Sequence, residues 1–66
     1  MEHLELNQFV FVDGPVEQPA EYFFAYNQIN PQDCEITAEG NDLTIKHKNK
    51  MSTWHFRDHW RRIEKR

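Results

Sequence analysis

The sequence predicts an α+β fold: one small domain spanning residues 1–66, ordered β-α-β-β and then a C-terminal helix or a further strand, with a mainly antiparallel sheet. Three observations predict it. A run rich in aromatic and β-branched residues ends in turn chemistry, a helical stripe follows a proline, and a later stretch alternates apolar and polar residues about a Gly-Asn turn.

The first strand is expected over Leu4–Val12, closed by Asp13-Gly14-Pro15. Phe9 to Val12 is apolar on both faces, the pattern of a central strand or of an edge sealed by a partner. Pro19 suits a first helical turn, where its missing N–H is not needed, and the helix is expected to run to about Ile29. Tyr22, Ala25, Tyr26 and Ile29 then form the inward stripe, with Phe23 at its rim and Phe24 on the opposite side, covered by another element or exposed for binding. Asn30-Pro31 stops the helix. Cys34, Ile36 and Ala38 alternate with Glu35, Thr37 and Glu39, and Leu43, Ile45 and His47 with Thr44, Lys46 and Lys48. This is a hairpin about Glu39-Gly40-Asn41-Asp42, in which Glu35 can meet Lys46 across the strands.

Residues 52–64 admit two readings. As a helix capped by Ser52 or Thr53, the segment buries Phe56, Trp60 and Ile63 and presents Trp54, Arg57 and Arg61 together. As a continuation of the sheet, Thr53 to Phe56 begins a third hairpin strand after a Lys48-Asn49-Lys50 turn. The run of Arg, Glu and Lys favours the helix.

Size and charge bound the function. A 66-residue chain buries only about 60 % of its unfolded surface, and Cys34, its single cysteine, cannot close an intrachain disulfide. Aromatic burial is the expected compensation, and self-association to a homodimer is the other route. Residues 1–42 carry nine carboxylates and no Lys or Arg, whereas residues 43–66 carry all eight Lys and Arg. Such asymmetry marks either contact with nucleic acid or membrane, or an internal match between acidic and basic elements. No signal peptide or apolar span is evident, so a cytoplasmic protein without membrane contact is expected.

No enzyme motif emerges. The i, i+4 spacing of His55 and His59, with His47 and Cys34 upstream, is the one hint of a metal, but no C-x-x-C pair or metalloprotease motif supports it. A surface or core-rim role suits these residues better, and no metal or cofactor is expected. Cys34 lies in the apolar register of its strand, where cysteine behaves as a small hydrophobe rather than as a nucleophile. The leading expectation is a non-enzymatic protein-binding module, a small regulator or inhibitor acting by surface contact, with Trp54, Arg57, Arg61 and Phe24 as anchors. The alternative is single-stranded nucleic-acid binding by the basic, aromatic C-terminal segment, which the acidic balance opposes.

Overall fold

The computed structural model describes residues 1–63 as two antiparallel sheets and one short helix around a common apolar core. Strands β1 (Glu2–His3), β4 (Cys34–Glu39), β5 (Asp42–His47) and β6 (Thr53–Phe56) form a four-stranded sheet in the order β1-β4-β5-β6. Strands β3 (Val16–Pro19), β2 (Phe9–Asp13) and β7 (Trp60–Arg62) form a three-stranded sheet in the order β3-β2-β7. Helix α1 (Ala20–Tyr26) follows β3 directly. The architecture is the small α+β domain that the sequence predicts. Among the described residues no helix is long and apolar enough to cross a membrane.

The hairpin of β4 and β5 has the expected register. Glu35 stands opposite Lys46, Ile36 opposite Ile45 and Ala38 opposite Leu43, so every apolar side chain of the alternating pattern faces the core. Gly40, at the first central position of the turn, has φ +60°, which glycine alone adopts without strain. A second hairpin was hidden in the chemistry that closes the first strand. Gly14 has φ +61°, and Gly14-Pro15 turns β2 into β3. The expected first strand is also shorter than its sequence span. A 3-10 turn at Leu6–Gln8 interrupts it, leaving β1 and β2 in different sheets. Of the two positions its apolar faces allow, β2 takes the central one.

The helix is rotated from the expected stripe. Ala20 and Phe24 are buried, whereas Tyr22 is 57 % and Tyr26 is 89 % exposed. Phe24 is thus a core residue at 2 % exposure and not a surface anchor. The cause lies at the C-terminus of α1, three residues earlier than expected. Gln28 has φ +57°, its N–H meets the Ala25 carbonyl at 3.2 Å, and the Ile29 N–H meets the Phe24 carbonyl at 3.0 Å. This is a Schellman closure, and its accompanying apolar pair is Phe24 and Ile29, both buried.

The expected C-terminal helix is not formed; Ser52–Ile63 adopts the strand alternative as β6 and β7, and Glu64 lies outside the described residues. β6 pairs with β5, placing Trp54 opposite Ile45 and Phe56 opposite Leu43 on the core side. β7 pairs with β2, placing Trp60 opposite Phe11. Helix propensity loses because these pairings satisfy the backbone of two otherwise open strand edges and bury three aromatic rings at once. The β5–β6 connection is organised by His47, which is 3 % exposed. Its Nδ1 accepts the N–H groups of Asn49 (3.2 Å) and Lys50 (3.0 Å), which fixes the proton on Nε2.

The sheets are joined by aromatic rings. Trp60 meets Phe9 edge-on at 6.4 Å, Phe9 meets Phe11 at 5.6 Å, and Phe11 meets Phe56 at 5.0 Å. Phe23 of α1 contacts Phe11, Phe24, Trp54 and Phe56, all within 5.6 Å. β7 also grips the turn of the opposite sheet. The Trp60 indole N–H donates to the Asn41 carbonyl at 2.9 Å, and Arg62 donates to the Gly40 carbonyl at 3.0 Å.

Two substitutions test this account. Trp60→Phe removes the indole donor and part of a buried ring, and is expected to cost about 2 kcal/mol in urea unfolding. Gln28→Gly relieves a left-handed residue and is expected to raise stability by about 1 kcal/mol.

Candidate functional site

The anchors expected from sequence do not converge. Trp54 is half-buried on the inner face of the four-stranded sheet, edge-on to Phe23 at 5.4 Å. Arg57 lies in the β6–β7 connection with its Nε 3.5 Å from Asp42 Oδ1. Arg61 belongs to the other sheet, where its register opposite Val10 puts it on the outer face with Glu17, its hydrogen-bonded ion-pair partner. Arg62 pairs with Glu2 at 2.8 Å and stacks on Trp60, its guanidinium carbon 4.9 Å from the ring centroid. The shared face of Trp54, Arg57 and Arg61 required a helix, and strands distribute those side chains over different surfaces.

These pairings bear on the charge asymmetry between the two halves of the chain. Arg57, Arg61 and Arg62 each meet a carboxylate from residues 1–42, so the acidic and basic segments touch at three points. The pairs are solvent-exposed and contribute little each, but they occupy guanidinium groups that a phosphate backbone would need. Trp54, Phe56 and Trp60 pack into the core cluster or against it, which leaves few free faces for base stacking.

The metal and nucleophile hints lose their geometry as well. His55 sits on β6, facing outward with its Nδ1 3.3 Å from the Thr44 hydroxyl, and His59 lies in the following connection, so no helical face brings them together. Among the described residues no group of three His, Cys, Asp or Glu side chains is placed to hold a metal. Cys34 does stand opposite His47 in the β4–β5 register. Yet the imidazole Nδ1 is engaged by two backbone N–H groups. Burial raises the thiol pKa, the Asp33 carboxylate raises it further, and Lys48 only partly opposes them. A catalytic thiolate needs the opposite shift.

What the fold does present is an aromatic groove beside α1. Phe11 of β2, Phe23 of α1 and Phe56 of β6 form its half-buried floor, and Tyr22 and Tyr26, one helical turn apart, rise along one wall. Gln18 and Asn27 supply amides at its margins, and the open volume is about 740 Å³. None of these side chains carries a charge at neutral pH. The sequence reading missed the groove because it placed Tyr22 and Tyr26 inward. The signal available was the unbroken run Tyr22-Phe23-Phe24, too apolar for one face of so short a helix to bury.

No family model, curated protein or solved structure matches the chain.

A raised thiol pKa leaves less thiolate at a given pH, so Cys34 should react with iodoacetamide at pH 7.5 more slowly than a free cysteine peptide. A rate equal to or above that of the peptide would contradict the burial assigned to Cys34.

Proposed function

We propose that the protein is a non-enzymatic binding module that docks on a protein partner through the groove beside α1. The observation that carries this reading is the exposure of Tyr22 (57 %) and Tyr26 (89 %) above three half-buried phenylalanines. Water solvates such a surface poorly, and exposed apolar patches with polar margins are where soluble proteins meet partners. Tyrosine suits the task because it offers a large rigid area and a hydroxyl at little cost in conformational entropy. The groove replaces the Trp54, Arg57 and Arg61 face, whose arginines are engaged by carboxylates. Occupation of a partner's surface in this way is how a small regulator or inhibitor acts.

The test compares the native chain with Tyr22→Ser/Tyr26→Ser as baits in lysate of the source cells. Both side chains project into solvent, so the variant should keep its circular dichroism and lose less than about 1 kcal/mol of stability. At least one protein retained by the native chain should be lost by the variant. Identical retention by the two baits would remove the groove from the function.

A further inference from the structure

We propose that the occupant of the groove is a proline-rich, extended segment of a protein partner, carrying a basic residue at one end. This rests on the docking reading above and names the chemistry of the ligand.

The lining selects the body of that ligand. Aromatic faces contact pyrrolidine rings well, and a polyproline II segment brings no proline N–H that would need an acceptor. Its carbonyls are free of internal hydrogen bonds, and the amide of Gln18 and the hydroxyls of Tyr22 and Tyr26 are donors for them, whereas the Asn27 amide donates to the Phe23 carbonyl at 2.8 Å. An α-helix satisfies its own carbonyls and would leave those donors idle. A polyproline segment is also already extended before binding, so it loses little conformational entropy on docking.

The charge around the groove selects the flank. Phe11 stands opposite Gln18, and the next row on the same face of β2 and β3 is Asp13 opposite Val16, the latter 52 % exposed. Asp13 makes no ion pair among the described residues. Arg57 and Arg61 are held by Asp42 and Glu17. The groove is therefore neutral along its length with a carboxylate beyond one end. That pattern favours a Lys or Arg following the apolar stretch and repels a single-stranded nucleic acid, which would otherwise find aromatic faces to stack on.

The experiment is a two-dimensional amide NMR titration of the intact protein with three synthetic peptides. They are decaproline, decaproline ending in two arginines, and a Gly-Ser peptide of equal length with the same arginines. Both proline peptides should shift the amides of Tyr22, Phe23 and Asn27. The arginines should tighten binding about tenfold, an advantage that Asp13→Asn abolishes. Tyr26→Ala, at a position 89 % exposed, should weaken both proline peptides about tenfold while leaving the remaining spectrum in place. The proposal is overturned if millimolar proline peptide leaves these amides unmoved, or if the Gly-Ser peptide binds as well. It is likewise overturned if sedimentation shows a dimer that the tyrosine substitutions dissolve, since a second copy would then fill the groove. If capture from lysate still depends on Tyr22 and Tyr26 while the proline peptides fail, the docking reading stands and the occupant named here falls.

Discussion

Backbone hydrogen-bond ladders run within each sheet of this protein, and the sheets are joined by the packing of seven aromatic rings whose hub is Phe23. A chain of this size has little apolar area to bury and closes no intrachain disulfide, so its stability must come from side chains of large area in well-defined geometry. Edge-to-face aromatic pairs supply that, each worth about 0.5–1.5 kcal/mol beyond the area buried. Trp60 is the outermost ring of this seam and the best anchored. Its indole packs edge-to-face with Phe9 while its N–H donates to the Asn41 carbonyl, so one residue fixes β7 to its own sheet and to the turn of the other.

The groove is a consequence of the same seam. Helix α1 has seven residues, about 10 Å of length, and it covers the core only where Ala20 and Phe24 point inward. Phe11, Phe23 and Phe56 are therefore packed on one side and open on the other. Structural and binding surface share the same rings, so the floor of the groove is held rigid by the packing beneath it. Exposed Tyr22 and Tyr26 add to that floor without taking part in it. The arginine–carboxylate pairs lie elsewhere on the surface and leave this region neutral.

How much could be read in the chain depended on how local the deciding interaction was. The β4–β5 hairpin was legible because alternation and a Gly-Asn turn act between neighbouring residues, and its register followed to the residue. The helix was legible in existence but not in rotation. Over two turns the stripes through Tyr22 and Tyr26 and through Ala20 and Phe24 are nearly equivalent as patterns, and the closure at Gln28 chose between them by bringing Ile29 back onto Phe24. The anchors Trp54, Arg57 and Arg61 were selected on a helical spacing, and that selection failed with the helix.

By itself the sequence determined the fold class, the hairpin and the need for aromatic burial, because turn residues and period-2 alternation encode these within a few positions. The tertiary structure alone decided that Thr53–Phe56 and Trp60–Arg62 form strands, that Arg57, Arg61 and Arg62 pair with Asp42, Glu17 and Glu2, and that Tyr22 and Tyr26 face water. Each of those outcomes turns on contacts between residues far apart in the chain: β7 on β2, Arg61 with Glu17, Phe23 against Trp54. Local propensity differs between alternatives by tenths of a kcal/mol per residue, about the scale at which one strand pairing or one buried ring reverses the choice.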